Sequence, residues 1–477
     1  MMADVAPRSR WKVRLLGALL VVLVAGGSAA YLGWRQSAPP VRAVVIPPPR
    51  FIGLSTTFTV VLEAARGRIA QAEVRIAQGG GGAVVLTQPT SAGSRLETPV
   101  TIQGATLGLR EGAATLEVWA RDDYWRPLRR TDAPAASIPV TIDLTPPSID
   151  VLAATQYVSQ GGGGIVVFRL RGGDAAEVRA GTLAFPSFPA GDGGARVALI
   201  GLPWDFRPGT PLTVAAHDEA GNAATRGVPT EIRTRHFRSD RIRLAESFLE
   251  TKVPELLPQR PPTQPLLDGF LLINRDLRRQ AEEEKRRAAL RTASHALWEG
   301  AFVQPRNTKV FSNFAETRTY LYGGREVDRQ VHLGYDLASF RQSPVPAANK
   351  GVVAFAGPLT IYGNAVIVDH GLGLQTLYGH LSSAGVKAGD SVEKGQELGR
   401  TGSTGLAMGD HLHFEVLVDG VSITPVEWWD AKWIRDHIDR PLEQAGLPTL
   451  GGTAPRAAAA KRTLAGDPGR HPRASRR

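Results

Sequence analysis

The residues most able to do chemistry in this sequence are histidines, and they are clustered. Half of the ten histidines lie between positions 332 and 413: His332, His370, His380, His411 and His413. The chain has no cysteine, so a metal site here must use nitrogen and oxygen ligands. Imidazole and carboxylate are the ligands of catalytic zinc in hydrolases, so this window predicts a hydrolytic metal site.

The segment His411-Leu412-His413-Phe414-Glu415 has the alternation of a β-strand. Apolar side chains recur at every second position from Leu412 to Val418. His411 and His413 therefore share one face, with Cα atoms ~6.6 Å apart, so that one imidazole can bind a metal while the other reaches its water. We expect the alternation to turn Glu415 off the metal face, which would give it a structural role.

The segment His332-Leu333-Gly334-Tyr335-Asp336 supplies two further ligands if the chain bends. In an extended strand His332 and Asp336 would be ~13 Å apart, too far for one ion, and Gly334 provides freedom for a bend. His332, Asp336 and His413 then form a predicted site for one Zn²⁺ per chain, with an open position for water. Manganese and iron are chemically conceivable alternatives.

Two histidines of the window remain free to handle protons. We expect His380 to be the general base on the attacking water, and His411 to hydrogen-bond to that water or to the tetrahedral intermediate; the two roles are interchangeable. His370 falls on a predicted turn and is expected to be structural. Three residues are candidates to stabilise the developing oxyanion, with a packing role equally open to each: Arg318, Tyr320 and Tyr322.

Residues 305–425 resemble the lysostaphin and LytM type of zinc metallopeptidase, which cuts peptidoglycan. The resemblance is carried by the His-x-x-x-Asp and His-x-His segments, by 363–371 and by the glycine-punctuated runs 392–395 and 401–405. It implies an antiparallel β-sheet open to a groove, with His332, Asp336 and His413 as metal ligands and with His380 and His411 as catalytic residues. The helix-borne His-Glu-x-x-His motif is absent from the sequence.

The amino terminus predicts export from the cytoplasm. Basic residues precede Leu15 to Leu32, an 18-residue stretch without charge that reaches ~27 Å as a helix, close to a bilayer core of ~30 Å. The charge asymmetry favours a single-pass inner-membrane anchor with the body in the periplasm or extracytoplasmic space. A cleavable signal peptide is the alternative, because Ser28-Ala29-Ala30 offers small residues at a cleavage point.

The rest of the chain predicts a mainly β multidomain protein, because 52 glycines and 34 prolines separate short strand patterns. Two Ig-like β-sandwich modules are expected, with generic β-sandwich spacers as the alternative. The segment before the peptidase is expected to contain surface helices, since it is dense in Arg and Glu. The predicted limits are a cytoplasmic basic segment 1–14, a transmembrane anchor 15–32, a Pro-rich linker 33–50, Ig-like modules 51–143 and 144–235, a helical linker 239–300, a LytM-type peptidase domain 301–445 and a basic disordered tail 446–477.

Charge and motif content together limit the function classes. The formal net charge of +11 comes largely from the two ends, which argues against nucleic acid as a partner. The expected function is a zinc metalloendopeptidase acting on peptide cross-links of peptidoglycan, with cell-envelope proteins as further possible partners. Two alternatives are a non-catalytic LytM-like activator of other wall hydrolases and a peptidase acting on a protein. The bond cut is left open between a Gly-Gly and a D-amino-acid linkage.

Overall fold

The computed structural model describes residues 10–89, 93–128 and 133–451 of the chain. These residues form 32 strands and seven α-helices, so the protein is mainly β. The chain divides into two compact units. The first comprises residues up to 148 together with 172–175 and 216–224, and the second comprises 149–171, 176–215 and the chain from 225 onward. The domain limits drawn from the sequence stay a prediction.

The first helix, α1 (Arg10–Gln36), contains the predicted anchor and extends beyond it. From Trp11 to Gln36 it is long and apolar enough to cross a membrane, and none of its most apolar stretch is buried within the protein. Residues 1–9 of the predicted cytoplasmic segment lie outside the described residues, as do residues 452–477 of the predicted tail.

The first unit is built on two sheets that share one hydrophobic core. One sheet has the order β1-β3-β6 and the other β2-β8-β7-β4-β5. Phe58 from the first sheet and Leu116 from the second belong to the same buried cluster. The strands are β1 (Arg42–Ile46), β2 (Phe51–Ile52), β3 (Thr56–Glu63), β4 (Ile69–Gln78), β5 (Gly81–Pro89), β6 (Arg95–Ile102), β7 (Gly112–Asp122) and β8 (Ala136–Ile142).

The structure differs from the sequence prediction at the Pro-rich linker 33–50. Residues 42–46 form β1, which pairs with β3 from Arg42 opposite Glu63 to Ile46 opposite Thr59. Val45 from this strand is buried in the core of the first unit. The short β-branched run between the prolines is therefore a sheet strand, whereas an extended spacer was expected.

A second set of strands follows, in sheets of order β14-β15-β11-β9 and β13-β12-β16-β17, with a parallel pair β10-β18. The Ig-like character expected for both modules stays a prediction. The strands are β9 (Ser148–Ala154), β10 (Tyr157–Ser159), β11 (Gly163–Arg171), β12 (Ala175–Ala180), β13 (Leu183–Pro186), β14 (Phe188–Pro189), β15 (Ala195–Gly201), β16 (Leu212–His217), β17 (Ala223–Gly227) and β18 (Glu231–Arg233).

The helical segment of the second unit consists of α2 (Glu246–Leu256), α3 (Leu266–Leu272), a π-helical turn (Ile273–Leu277) and α4 (Arg278–Ala289), preceded by β19 (Ser239–Arg243). The break between α2 and α3 falls where four prolines lie between Pro258 and Pro265, since proline cannot continue a helix. Leu249 and Phe270 from these helices share a buried cluster with Leu377 and Leu417 of the following sheet. The helices are thus part of the core that supports the peptidase-like region.

An eight-stranded sheet dominates the carboxy-terminal region. Its order is β20-β23-β31-β27-β26-β25-β29, with β32 paired to β31, and each strand is antiparallel to its neighbours. Smaller sheets β19-β21-β22 and β24-β30-β28 accompany it. The strands are β20 (Lys309–Ser312), β21 (Glu316–Tyr322), β22 (Arg325–His332), β23 (Tyr335–Ala338), β24 (Pro344–Pro346), β25 (Gly351–Pro358), β26 (Asn364–Asp369), β27 (Leu374–Leu381), β28 (Ser383–Ala384), β29 (Ser391–Val392), β30 (Glu397–Arg400), β31 (Leu412–Val418) and β32 (Val421–Ile423).

The register of this sheet places the chemistry-bearing side chains. On β31, His413 lies opposite Asp336 of β23 on one side and opposite Gly379 of β27 on the other. His332 ends β22, three residues before β23 begins. Short helices close the region after a 3₁₀ turn at Thr360–Tyr362: α5 (Pro425–Trp429), α6 (Ala431–Ile434), a π-helical turn (Arg435–Asp439) and α7 (Arg440–Gln444).

Candidate metal centre and its neighbouring histidines

Three side chains meet at the junction of β22, β23 and β31. His332 Nε2, Asp336 Oδ1 and His413 Nδ1 form a triangle in which each pair of atoms is 3.0 Å apart. All three residues are buried. Among the described residues, they form the one group of three or more such side chains arranged to hold a metal ion.

The triangle has dimensions that suit a transition-metal ion. Its centre is about 1.7 Å from each corner, somewhat less than Zn–N and Zn–O bonds of about 2.0–2.2 Å, so one ion can reach all three atoms. Two imidazole nitrogens and one carboxylate oxygen are also the donor types of catalytic zinc sites. The residues present therefore fit a single divalent metal ion.

Gly334 makes the convergence of His332 and Asp336 possible through its lack of a side chain. A Cβ atom at this position would lie 2.6 Å from the carbonyl oxygen of Phe414 and 2.7 Å from Nε2 of His413. Any other residue at position 334 would therefore collide with the imidazole of His413. The sequence predicts the bend at Gly334 from backbone freedom, and the structure adds close approach as the physical reason.

Each of the two imidazoles in the triangle is oriented by a protein acceptor on its other nitrogen. His332 Nδ1 lies 2.9 Å from the carbonyl oxygen of Asn313, and His413 Nε2 lies 2.9 Å from Oε1 of Glu415. In each neutral ring, the nitrogen that donates to this acceptor carries the proton. The opposite nitrogen therefore directs its lone pair into the triangle. The tautomers required for metal binding are therefore fixed by the fold.

His380 and His411 lie beside the triangle with the same type of orientation. His380 Nδ1 is 2.8 Å from the carbonyl oxygen of Thr404, and His411 Nδ1 is 2.8 Å from that of Gly409. Their ring centroids are 4.8 Å apart, and the His380 and His413 centroids are 5.7 Å apart. In the neutral form each ring thus keeps Nε2 as a proton acceptor, and that of His411 is 3.4 Å from Asp336 Oδ1.

Electrostatics favour neutral imidazoles at two of these positions. Burial lowers the pKa of His332 to about 4. Burial, together with the neighbouring His411 and His413, also holds the pKa of His380 well below its usual range. Both rings therefore carry no charge near neutral pH, as a metal ligand and a proton acceptor require.

His380 occupies an uncommon backbone conformation. Its φ of 61° lies in the left-handed region, although it stands within β27. A non-glycine residue in this region costs about 1–3 kcal/mol, and such residues cluster at functional sites. The hydrogen bond from its ring to the carbonyl of Thr404 is one of the contacts that hold it there.

Arg318 is the one member of the predicted oxyanion trio that contacts the triangle. Its Nη2 lies 2.7 Å from Asp336 Oδ2 and 2.7 Å from Ser312 Oγ. Burial opposes the charge of Arg318, but Asp336 together with Tyr320 and Glu316 raises the guanidinium pKa. Burial likewise opposes the charge of Asp336, but its contacts with His332, His411 and His413 hold the carboxyl pKa well below its usual range.

The two tyrosines of that trio lie in other surroundings. Tyr320 is buried in the core, with its ring centroid 5.4 Å from that of Phe270. The hydroxyl of Tyr322 donates to Oε2 of Glu246 at 2.8 Å. These contacts favour packing and structural roles for both tyrosines.

The expectation that Glu415 points away from the metal face is wrong. Residues 413 and 415 are two apart on β31 and so share one face, and Glu415 Oε1 reaches His413 Nε2. The other oxygen of Glu415 is 2.9 Å from Nζ of Lys285, whose side chain is fully buried. Lys285 also contacts Glu282, Ser422 and Tyr362.

This buried network has clear electrostatic consequences. Burial opposes the charge on Glu415, but Lys285 and His413 hold its carboxyl pKa far below the usual range. Burial also opposes the charge on His413, but Asp336 and Glu415 together raise its pKa. Lys285 belongs to α4, so a helix outside the sheet supports the orientation of one corner of the triangle.

Helix α2 contacts the loop that orients His380. Lys252 Nζ donates to the carbonyl oxygen of Ser403, and the amide of Gly405 donates to Glu255 Oε1 at 3.0 Å. Thr404 lies between these two contacts, and its carbonyl accepts from His380. The sequence offers no pattern that pairs these helical residues with the loop, because the contacts join residues about 150 positions apart.

His370 lies outside the triangle, in agreement with the structural role expected for it. Its Nδ1 is 2.7 Å from the carbonyl oxygen of Lys350, and its Nε2 is 2.8 Å from Oγ1 of Thr376. Burial lowers its pKa to about 4. Both ring nitrogens are thus engaged within the protein.

Comparison with known proteins identifies the region that holds these residues. Residues 330–425 match Peptidase family M23. The chain is 41% identical over 97 residues to DD-carboxypeptidase/endopeptidase Mpg of Neisseria meningitidis serogroup B, covering 20% of this chain and 22% of that protein. It is 37% identical over 114 residues to peptidoglycan DD-endopeptidase ShyA of Vibrio cholerae, covering 24% and 25% respectively.

A solved structure is also similar to a part of the chain. The catalytic domain of lysostaphin from Staphylococcus simulans is 28% identical, with a TM-score of 0.22, and the match covers 26% of this chain and 92% of that structure. The chain spans about a quarter of the length of the curated relatives named above. All five residues of the triangle and its neighbouring histidines lie within residues 330–425.

Proposed function

Because residues 330–425 form a Peptidase family M23 domain, we propose that this chain is a metalloendopeptidase that hydrolyses peptide cross-links of bacterial peptidoglycan. The observation that carries the proposal is the 3.0 Å triangle of His332, Asp336 and His413 with two imidazoles beside it. Two of the relatives are named as endopeptidases, one of them explicitly as a peptidoglycan DD-endopeptidase.

We assign the metal-ligand role to the triangle and Zn²⁺ as its ion, one per chain. The donor set contains nitrogen and oxygen only, and a hydrolytic site has no need of a redox metal. When bound there, Zn²⁺ would polarise the scissile carbonyl and lower the pKa of a water molecule towards neutrality. Asn313 and Glu415 keep the two imidazole ligands in the tautomers that this requires.

His380 is assigned as the general base and His411 as its partner. The depressed pKa of His380 keeps its Nε2 unprotonated, so that it can accept a proton from the attacking water. Water oxygen then bonds to the amide carbon, the carbon–nitrogen bond breaks, and the proton held by the imidazole passes to the departing amine. His411 hydrogen-bonds to the same water or to the reacting carbonyl group, and the two histidines can exchange roles.

We further propose that α1 is a single-pass anchor in the cytoplasmic membrane, with the body of the protein in the periplasm or extracytoplasmic space. The uncharged run from Leu15 to Leu32 and the basic residues before it support this placement. The strands between α1 and the helical segment then serve as Ig-like modules of an envelope protein. The substrate, peptidoglycan, lies in the same compartment, as would any cell-envelope protein partners.

The proposal is tested with the full-length chain purified in detergent and incubated with isolated peptidoglycan sacculi. Cross-linked muropeptides are quantified by liquid chromatography and mass spectrometry, and bound metal by plasma mass spectrometry. We expect His380→Ala to lose activity by about 100-fold or more while retaining bound metal, since general-base catalysis contributes about 10²–10⁴-fold. We expect His332→Ala to lose both metal and activity.

The matched control is His236→Ala, an exposed histidine outside the M23 match, which should behave as the unmodified chain. Activity retained by His380→Ala would remove the proposed mechanism. If the unmodified chain binds metal but leaves sacculi intact, and yet accelerates a separately added wall hydrolase, the non-catalytic activator function is correct instead. Cleavage of an envelope protein without cleavage of sacculi would identify a protein substrate.

A further inference from the structure

The carboxy-terminal end of α1 is joined to a loop of the first unit that lies about 90 residues further along the chain. Gln36 Nε2 donates to the carbonyl oxygen of Leu128 at 2.9 Å, and the amide of Leu128 donates to Gln36 Oε1 at 3.0 Å. Arg35 Nε donates to the carbonyl oxygen of Trp125 at 3.1 Å. Three hydrogen bonds thus hold residues 125–128 against the last turn of the helix.

Aromatic rings and guanidinium groups surround this junction. The Arg35 guanidinium lies 4.0 Å from the ring centroid of Tyr124, and that of Arg66 lies 4.3 Å from the ring centroid of Trp34. Arg66 also donates to the hydroxyl of Tyr124 at 3.2 Å. We call these four residues together with Trp125 and Leu128 the collar of α1.

Arg126 connects the loop of the collar to the sheet that contains β7. Arg126 donates twice to the carboxylate of Asp122 on β7, at 2.7 Å and 2.9 Å. The same guanidinium donates to the carbonyl oxygen of Pro39 at 2.9 Å, just beyond the end of α1. The helix end, the loop and β7 are therefore tied together by a bidentate ion pair with little exposure to solvent.

The apolar side chains of the collar are nevertheless exposed. Trp34, Trp125 and Leu128 are 52%, 54% and 75% exposed. Water is a poor environment for three such side chains in one cluster, whereas tryptophan with arginine is the composition typical of a membrane interface. Exposure within the described part of the chain and composition together therefore point to lipid as the neighbour of these side chains.

The position of the collar along α1 agrees with this. The uncharged run ends at Leu32, and Gln36 lies four residues further, or ~6 Å along the helix axis. The polar headgroup layer on each side of a bilayer is ~5–8 Å thick, from a total of ~40–45 Å around a core of ~30 Å. With Leu32 at the edge of the hydrocarbon core of a bilayer, the groups hydrogen-bonded to Arg35 and Gln36 would lie at the depth of that layer.

We infer that the collar is a lipid-contact surface, with Trp125 and Leu128 inserted among the headgroups and upper acyl chains of the phospholipid bilayer that α1 crosses. Arg35 and Arg66 face the lipid phosphates. The first unit is then seated directly on the membrane in a fixed orientation. This inference rests on the proposed membrane anchor, but it is independent of the proposed peptidase activity.

The absence of cysteine from the sequence permits a direct test. Single-cysteine variants Leu128→Cys, Leu23→Cys and Val84→Cys of the full-length chain are nitroxide-labelled and reconstituted in phosphatidylethanolamine–phosphatidylglycerol nanodiscs. Electron paramagnetic resonance then compares collisions with oxygen, which enters lipid, against collisions with a water-soluble nickel chelate. Leu128 and Val84 are both exposed residues of the first unit, so labelling leaves the core intact.

The inference predicts a ratio of oxygen to nickel collisions several-fold higher at position 128 than at position 84, approaching the value at position 23. If the ratios at positions 128 and 84 are equal while the label at position 23 lies in the lipid, the collar does not contact lipid, although α1 still crosses the membrane. A water-exposed label at 23 would overturn the anchor and the collar together. Peptidoglycan cleavage, measured separately, reports on the proposed enzyme.

Discussion

Glu415 Oε1 lies 2.9 Å from Nε2 of His413, directly behind the nitrogen that faces His332 and Asp336. The carboxylate therefore fixes the tautomer of His413 and strengthens Nδ1 as a donor to a metal. Replacement by glutamine retains an acceptor oxygen but removes the charge. We expect Glu415→Gln to weaken Zn²⁺ binding about 10- to 100-fold, measured by competition with a chromogenic chelator.

Glu282→Gln is the matched control for that experiment. Glu282 contacts the same Lys285 at 2.8 Å, but it is not among the contacts of His413. The control should bind Zn²⁺ with nearly the affinity of the unmodified chain. If both variants lose affinity equally, the effect comes from Lys285 and the surrounding network, and the orienting role of Glu415 is wrong.

Metal uptake is expected to release one proton at mildly acidic pH. In the metal-free protein, burial opposes the charge on His413, but Asp336 and Glu415 raise its pKa above the ordinary 6.5. His413 is therefore mostly protonated at pH 5.5, and a metal must displace that proton. His332, with a pKa lowered to about 4 by burial, and Asp336, with a pKa well below its usual range, offer no competing proton there.

The expected affinity therefore falls about tenfold for each pH unit below the pKa of His413 and is nearly independent of pH above it. Calorimetry at pH 5.5 in two buffers of different ionisation enthalpy counts the protons released per metal. A count near one supports this account, and a count of zero or two contradicts it. In Glu415→Gln, with one negative charge fewer, the fall in affinity should begin at a lower pH.

The approach of His332 to Asp336 could be predicted from sequence because it depends on short-range geometry. The meeting of these two residues with His413, which is 81 and 77 positions away, is implied instead by the resemblance to lysostaphin and LytM peptidases. A two-residue period on β31 and a glycine between the other two residues are visible without tertiary information. The same period places Glu415 on the face of His413, so this orientation too is contained in the sequence pattern. Asn313, Thr404 and Gly409 act through backbone carbonyls, which no residue type reveals.

The role of α4 could not be predicted in the same way. Its dense charge indicates a solvated surface helix, yet Lys285 is fully buried and Ala281 and Ala288 lie on the same side. A buried lysine is stable only beside specific acceptors, here Glu282 and Glu415, and Glu415 is 130 residues away in sequence. Such long-range pairing leaves no periodic signal.

A peptidase fragment cut at the predicted limit of residue 301 is expected to be unstable. Leu249, Phe270 and Ile273 are fully buried in the cluster that also contains Leu377 and Leu417. Each such side chain contributes about 1.5–3 kcal/mol of burial, so deleting the helical segment uncovers a large apolar surface. We expect fragment 301–451 to melt well below fragment 149–451 in thermal unfolding followed by circular dichroism.

Fragment 239–451 separates the contribution of the helical segment to stability from the contribution of the strands before it. It restores α2, α3, α4 and β19, so it should recover most of the lost stability if the helices are the main support. Dye binding to exposed apolar surface should fall in the same order. A fragment 301–451 as stable as 149–451 would show that the helical segment is dispensable for the fold.

Glu427 carries a carboxyl group that is held against the backbone of β11. The residue is half-buried, and its Oε2 accepts a hydrogen bond from the amide of Gly163 at 2.8 Å. Burial raises its pKa to about 8, above the ordinary 4.5, so the folded protein binds a proton that the unfolded chain releases between those values. Stability must therefore fall as pH rises from about 4.5 to about 8, by an amount on the order of 4 kcal/mol in all.

Glutamine keeps the acceptor for Gly163 and removes the ionisation. We expect Glu427→Gln to raise the thermal midpoint of the second unit by several degrees at pH 8 and to leave it nearly unchanged at pH 4.5. Glu250→Gln, at an exposed position on α2, should change the midpoint at neither pH. Because protonated Glu427 and glutamine are nearly isosteric, a midpoint shift that does not grow with pH would mean that this carboxyl is already ionised in the folded protein.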